Sequence, residues 1–347
     1  MSSNTRIAAS ELDFDKIKLN LINFLKGQEQ FKDYNFEGSG MSVILDLLAY
    51  NTHYRGLYDN FIINEMFIDS ASKRSNIVSR AKELGYTPKS RIASQASLGL
   101  TVTGVINGAS TLTLPKNTTF SGYVNNTTYT FYSTEIMYAT NVNGTYTFTN
   151  IPVREGRPLT TRFAVGTNTR YILKNPGIDT TTISVSVQEN ANTGTYTVWK
   201  STQDIVGISR LDQVYWIKEV LTGQYELEFG NDVIGKGLVA GNVVQTDYFS
   251  TSGSIANGAQ LFRYTGASLG GTVTVTTTVG SYGGDDIETT DSIRFNAPRY
   301  FSNQNRAVVT DDYMNLTYSL VTDAASVNVW GGADAEPPQY GRVFICI

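Results

Sequence analysis

Apolar residues near the start of the chain recur at helical spacing. Phe14, Ile17, Leu21 and Phe24 fall on one face, and Leu19, Ile22 and Leu25 widen it. Ser10 or Asp13 supplies a cap, and Gly27 a stop. A second helix is predicted after Gly38-Ser39-Gly40, with Ser42 near its cap. It carries Val43, Ile44, Leu47, Leu48, Tyr50, Tyr54, Leu57, Tyr58, Phe61, Ile62, Met66 and Phe67. These positions keep to no narrow stripe, and a helix apolar nearly all round must be buried on most sides. A third helix is predicted from Ser72 to Leu84, with Ile77, Val78, Ala81 and Leu84 inward. Gly85 stands where a left-handed cap is wanted, and Pro88 forbids continuation. Three helices predict a small bundle. Its second member has more apolar surface than two partners can cover, so other chains are expected to cover the remainder.

From Ser97 the period changes to two. Leu98, Leu100 and Val102 alternate with Gly99, Thr101 and Thr103. The same alternation holds for Leu112 and Leu114, Tyr146 and Phe148, and Ile183, Val185 and Val187. Tyr225, Leu227 and Phe229 follow it too, as do Val273 and Val275. This is the signature of half-buried antiparallel strands. Threonine, a β-branched residue, occurs 3 times in residues 1–100 and 24 times in residues 101–200, which puts the helix-to-sheet switch near residue 95. Turn signals stand at Asn107-Gly108, Asn143-Gly144, Asn175-Pro176-Gly177 and Asn257-Gly258. Near Asp291 the pattern changes again. Asp291 can cap a short helix over Ile293 and Phe295, and Asp311 or Asp312 another over Tyr313, Leu316 and Leu320. Strands are predicted at Val327 and Val329 and from Arg342 to Ile347.

The expected fold class is α+β in three parts. Residues 1–95 form an N-terminal helical bundle serving assembly. Residues 96–280 form a Thr-rich, mainly antiparallel β body of one or two subdomains. Residues 281–347 form a small α/β segment read as the start of a further domain, because the sequence halts inside a strand.

The composition narrows the chemistry. In 347 residues, 41% are hydrophobic and 17% charged, which is enough for real cores. The net charge of −4 argues against a nucleic-acid binder held by a basic surface. Cys346 is the single cysteine, so an internal disulfide and a multi-cysteine zinc site are ruled out. The N-terminus has no apolar signal core, and no run of about 18 apolar residues exists. The expectation is a soluble product of a reducing compartment, without membrane insertion.

Four features imitate functional motifs. Gly230 to Lys236 follows a phosphate-loop pattern, but Gly237 occupies the place of the magnesium-binding Ser or Thr, and a strand follows instead of a helix. It reads as a loop between strands. His53 is the only histidine and sits mid-helix among Tyr50, Tyr54 and Leu57, so it reads as structural. Asp285, Asp286, Glu288 and Asp291 could hold a hard cation but lack EF-hand spacing. They read as a solvated loop leading to a helix cap. Asn-x-Thr triplets such as those at Asn117, Asn126 and Asn143 match glycosylation sequons but are read as chance in an Asn/Thr-rich region. No catalytic, cofactor or metal residues are assigned. Aromatic residues such as Tyr123, Tyr129, Phe131, Tyr132, Tyr300 and Phe301 are candidates for contact surfaces, since aromatics are enriched at interfaces, though about half of them are expected to fill ordinary cores.

Three blocks carry a resemblance. The first runs from Ser39-Gly40-Met41 through Leu48-Ala49-Tyr50-Asn51-Thr52-His53-Tyr54 and Asn64-Glu65-Met66-Phe67-Ile68-Asp69 to Leu84-Gly85-Tyr86-Thr87-Pro88. The second is Phe229-Gly230-Asn231-Asp232 with Ile234-Gly235 and Asn257-Gly258. The third is Ala297-Pro298, Gln304-Asn305-Arg306-Ala307-Val308, Asp312-Tyr313, Gly331-Gly332 and Tyr340-Gly341. In this order they resemble baseplate wedge proteins of contractile-tailed bacteriophages, the baseplate J-like family. The resemblance implies a non-enzymatic virion part in the tail baseplate, assembled in the host cytoplasm. It implies a ring around the central hub that transmits the rearrangement triggering sheath contraction. The implied partners are further copies of the chain, other wedge proteins, and sheath-initiator-type and hub-proximal tail proteins. A tail-associated saccharide-binding or glycan-degrading protein is the alternative. The expected assembly interface comprises Phe14, Ile17, Leu21, Phe24, Leu47, Tyr50, Tyr54, Leu57, Phe61 and Phe67.

Overall fold

A computed structural model of the chain describes residues 12–32, 34–105, 108–166, 170–189, 194–203, 205–221, 223–303, 306–321 and 326–347. Ser10, Asn107, Gln304 and Asn305 lie outside the described residues, as does the side chain of Leu320. The chain divides into two compact units. One comprises residues up to 86 with 290–307, and the other residues 87–289 with 308–347.

The first unit is helical. Helix α1 spans Phe14–Lys26 and starts where Asp13 accepts hydrogen bonds from the Asp15 and Lys16 amides at 3.0 and 3.2 Å. Helix α2 spans Gly40–Glu65 and begins three residues before Ser42's side chain could cap it, with Ser39 at the N-cap. Helix α3, Arg74–Glu83, ends as its glycine predicts. Gly85 has φ +78°, and the Tyr86 amide reaches back to the Ala81 carbonyl at 2.9 Å. Helix α4, Thr290–Asn303, packs on α3, and Ile293 and Ala297 join Ala71, Ile77, Val78 and Ala81 in one small core. The predicted three-helix bundle is thus replaced by two pairs, α1 with α2 and α3 with α4. The physical reason lies in α3. It is only ten residues long, and Ala and Ile on α4 fit its narrow apolar face.

The β body holds two sheets, each curled around its own core. The first follows the order β14 (Leu261–Tyr264), β3 (Thr119–Val124), β4 (Thr127–Ser133), β6 (Thr145–Glu155), β1 (Gln95–Thr103) and β15 (Thr272–Tyr282). A side branch pairs β2 (Thr111–Leu114) with β5 (Met137–Val142), and β5 with β6. The two ends of the path meet. The Gly258 amide donates to the Ser281 carbonyl at 2.7 Å, and the Ser281 amide to that of Ala259 at 2.9 Å. Closure here covers the edges of β14 and β15, while β2 remains the outer strand of the side branch. The alternating residues point inward as predicted, with Leu98, Leu100, Val102, Tyr146 and Phe148 buried. Of the aromatics that could serve a contact surface or a core, Phe131 is fully buried in this core, with Phe262 packed edge-on at 5.0 Å.

The second sheet follows the order β7 (Arg157–Ala164), β13 (Val243–Ser250), β9 (Ile178–Gln188), β10 (Tyr196–Ser201), β11 (Val214–Leu221), β12 (Gln224–Phe229) and β8 (Tyr171–Leu173). Phe163 of β7 and Tyr171 of β8 touch edge-on at 5.6 Å, so the outer strands approach one another without pairing and the sheet curls into a second, open barrel. Trp199, Tyr215, Tyr225 and Tyr248 fill the interior. All pairs are antiparallel except β10 with β11, which run parallel over two residues.

Helix α5 (Thr310–Leu320) packs on the hairpin of β16 (Asn328–Gly331) and β17 (Val343–Cys346). Asp312 accepts from the Val308 and Val309 amides at 3.0 Å each, so it covers the start of α5 from inside the first turn. Cys346 is free and exposed.

Two hairpin turns depend on left-handed backbone. Asn143 and Gly144, at φ +52° and +78°, link β5 to β6, as the Asn-Gly pair predicts. Asn125 and Asn126, at +44° and +65°, link β3 to β4 without any glycine. Asparagine is the one side chain, besides aspartate, that tolerates this region at low cost.

Gly122 faces the first core. A Cβ there would sit 2.7 Å from the Phe131 ring and 2.8 Å from that of Phe262, both packed among core strands. Gly122→Ala should therefore cost about 1–3 kcal/mol. Urea unfolding followed by far-UV circular dichroism measures this, and an unshifted midpoint would mean the two rings are free to move.

Candidate assembly interface

Helix α2 has 26 residues and α1 has 13. At 1.5 Å per residue they are roughly 39 and 20 Å long, so α1 cannot run the length of its neighbour. The two are antiparallel. His53 contacts the Leu12 carbonyl through Nδ1 at 2.8 Å, and Lys18 pairs with Asp46 at 2.6 Å. The lone histidine is thus a helix-to-helix tie, as its isolation from other ligand residues predicts. Among the described residues no group of His, Cys, Asp and Glu could hold a metal ion, and no helix is long and apolar enough to cross a membrane.

Burial divides α2 lengthwise. Leu45, Ala49, Gly56 and Asn60 form a covered stripe. Away from it, Val43, Leu47, Tyr50, Tyr54, Leu57 and Phe61 are 42–68% exposed. Their spacing is four, three, four, three, four, the repeat of a coiled-coil seam. Ile44, Leu48, Tyr58 and Ile62 are exposed beside it. The Tyr50 and Tyr54 rings meet at a tilt with centroids 4.6 Å apart, and the hydrogen bond between their hydroxyls is the main cause pushing Tyr50 above its ordinary pKa. Burial of a large apolar side chain stabilises by about 1.5–3 kcal/mol, so covering the exposed half of six such residues is worth roughly 5–9 kcal/mol.

The ten residues expected at an interface do not share one environment. Leu47, Tyr50, Tyr54, Leu57, Phe61 and Phe67 are exposed, and so is Phe24 at the far end of α1. Ile17 is buried inside this chain, and Phe14 and Leu21 are half-buried. Those three face inward because α1 turns its apolar stripe onto its own neighbour, which corrects the expectation that they are available to another molecule.

The direction of α2 is set by a polar elbow after its last turn. Glu65, buried at that turn, accepts from the Ser72 amide at 2.8 Å, the Lys73 amide at 3.2 Å and Asn76 Nδ2 at 2.7 Å. Ser70 Oγ donates to the Asn64 carbonyl at 2.7 Å. From α4, Arg294 donates to the carbonyls of Ile68 and Ala71 and pairs with Asp291. Asp291 therefore steadies Arg294 within the first turn of α4. Burial alone would raise the Glu65 pKa, but the hydrogen bonds from Asn76, Ser72 and Lys73, with the Lys73 charge, outweigh it and hold the carboxyl below the usual range. Neither Glu65 nor Arg294 carries a recognisable signal, because a capping box requires three-residue spacing and these contacts cross the elbow or join separate helices.

Other candidate chemistry is used within the chain. In the loop from Gly230 to Gly237, Asn231 Oδ1 accepts the Val233 and Ile234 amides, and Asp232 Oδ1 accepts that of Gly237 at 2.8 Å. A carboxylate and an amide oxygen hold the amides that a phosphate would need. Asp286 pairs with Arg91 at 3.6 Å, and Glu288 accepts the Lys89 amide at 2.9 Å. Beside a 330 Å³ groove on β12, Glu226 pairs with Arg170 and Glu228 with Lys218.

Comparison with known proteins bears on the helices first. Residues 13–86 match the family model described as baseplate wedge protein gp6-like, helical domain. Baseplate wedge protein gp6 of Enterobacteria phage T4 is 30% identical over 326 residues, covering 86% of this chain. This chain spans about half the length of that relative, 48% of it. A chain in a cryo-EM structure of the anti-feeding prophage baseplate, 6-fold symmetrised, aligns over 95% of this chain and 68% of its own, at 10% identity and a TM-score of 0.36. A likeness that faint carries no argument. The family model and the T4 relative are both described as baseplate wedge proteins.

The elbow yields two measurements. Glu65→Ala should cost about 1–2 kcal/mol, the usual loss for a helix start stripped of its acceptor. Because folding lowers the Glu65 pKa, its contribution is present above the ordinary value of about 4.3 and is lost as pH falls through the lower folded value. A pH series of thermal melts on wild type and Glu65→Gln should show the acid limb flattened in the variant. Parallel acid limbs would remove Glu65 as a cause.

Proposed function

We propose that this chain is a structural wedge subunit of a contractile phage tail, of the baseplate J-like kind, with no enzymatic role. In this reading it joins a ring around the central hub and passes on the rearrangement that triggers sheath contraction. It works in the virion's tail baseplate after assembly in the host cytoplasm. Its partners are further copies of itself, other wedge proteins, and sheath-initiator-type and hub-proximal tail proteins.

The observation that carries this is the open seam of α2. Six large apolar side chains at coiled-coil spacing are exposed on a helix whose only packed neighbour among the described helices is half its length. Exposed contiguous apolar surface of this kind marks a protein contact. The occupant of a four-three seam is another helix, which fits an assembly part. The glycan-degrading alternative gains nothing from the geometry, since Glu226 and Glu228, the two carboxylates flanking the β12 groove, are each ion-paired.

The test is a charge placed in the seam. Leu47→Glu combined with Leu57→Glu should reduce incorporation into baseplates by about tenfold or more, since each buried charge costs more than the 1.4 kcal/mol of one decade. The β body, far along the chain, should keep its unfolding midpoint. Normal incorporation of the double variant, or a map of the assembled tail with solvent against residues 43–62, would overturn the proposal.

A further inference from the structure

We propose that the two β barrels are locked into one rigid lever by a polar joint whose keystones are the buried carboxylates of Asp179 and Glu155. The inference concerns the β body alone and stands apart from the wedge reading.

The chain passes between the barrels twice, at Glu155-Gly156-Arg157, from β6 to β7, and at residues 250–253, after β13. A third segment, residues 89–94, runs extended past both. Flexible linkers are usually exposed and poor in tertiary contacts. This joint is the opposite. Asp179, fully buried on β9 of the second barrel, accepts the Ala93 amide at 2.9 Å through Oδ2. Its other oxygen accepts the Thr181 amide at 3.0 Å and the Thr181 hydroxyl at 2.6 Å. Beside it, Ser90 Oγ accepts the Thr180 amide at 3.0 Å. The strap of residues 89–94 is thereby fastened to the second barrel. Its other side is fastened near β15, where Ile92 and Asp285 exchange backbone hydrogen bonds at 2.9 and 3.0 Å.

Glu155 fastens the crossings to each other. It is 3% exposed, and its Oε2 accepts the Thr251 hydroxyl at 2.5 Å and the Ser252 amide at 3.1 Å. Its own amide donates to the Ser94 carbonyl at 2.8 Å, tying the same residue to the strap. Glycines let the backbones close in. A Cβ on Gly156 or on Gly177 would lie 2.5 Å from the Ser250 or Thr251 carbonyl oxygen. Both have positive φ, +116° and +68°. A hinge needs a few residues free to absorb φ/ψ change, and here the crossing residues are held on every side.

The logic of a buried carboxylate makes the lock specific. Every bond just described for Asp179 and for the Glu155 carboxylate is accepted by the side chain. An Asn at 179 would turn an N–H toward either the Ala93 amide or the Thr181 pair, and a buried donor facing a donor is strongly unfavourable.

The test uses the full chain with Cys346→Ser and spin labels at Thr128→Cys, in the first barrel, and Lys200→Cys, in the second. Pulsed electron-electron resonance should give one narrow distance distribution in this parent. Asp179→Asn should widen it by about twofold or more as the joint becomes a hinge. Far-UV circular dichroism and Trp199 fluorescence should stay unchanged, which separates a loosened joint from unfolded barrels. Thr251→Val removes the hydroxyl that donates to Glu155 and accepts the Gly253 amide, both within the joint, and it carries the comparison should Asp179→Asn fail to fold. A broad or bimodal parent distribution overturns the proposal, and so does a folded variant that stays as narrow as the parent.

Discussion

A helix cannot hide an apolar circumference behind a neighbour half its length. That mismatch between α1 and α2 governs the helical unit. α1 spends Ile17 and its half-buried flanks on one stripe of α2, and the other stripes are left with Val43, Leu47, Tyr50, Tyr54, Leu57 and Phe61 facing solvent. A soluble domain under ordinary constraints would place charges there. Asp46 of α2 is committed to orientation by its pair with Lys18 of α1. The exposed face is therefore a property of the helix as a whole and extends over about five turns.

The elbow and the joint follow a common rule. Where direction has to be fixed, the chain uses a buried carboxylate that accepts backbone amides. Glu65 does this between α2 and α3, and Asp179 and Glu155 between the barrels; Asp312, only partly covered, does the same at the start of α5. Backbone amides at a helix start or a strand break are obligatory donors, and a carboxylate can satisfy two or three of them at once. Each such contact ties positions without requiring a large apolar area, which suits connections too thin to own a core.

Much of this architecture was legible from periodicity. Leu98, Leu100 and Val102 alternate because β1 has one face in the barrel and one outside, and the pattern names the inner face directly. Gly85 and Pro88 mark the end of α3, and Asn143-Gly144 marks a hairpin. The excess apolar surface of α2 was also readable, because periodicity reports what a helix needs covered. It does not report who covers it. Hence Ile17 reads like Leu47 in sequence, though one is buried by its own chain and the other exposed. The pairing of α3 with α4 joins segments more than two hundred residues apart, and no local signal carries that information. The contacts of Glu65, Arg294, Asp179 and Glu155 were invisible for the same reason. Phe131 stays undecided between surface and core in the sequence, because its strand has too little alternation to reveal its inner face.

Closure of the first barrel has one more consequence. The Gly258 and Ser281 hydrogen bonds seal the rim where an open sheet would offer bare amides and carbonyls to any passing strand. At that seam a passing strand finds no bare backbone, so neighbouring copies cannot zip together through it. On the helical unit the choice of companion falls instead to the exposed side chains of α2, whose shape is more selective than backbone pairing.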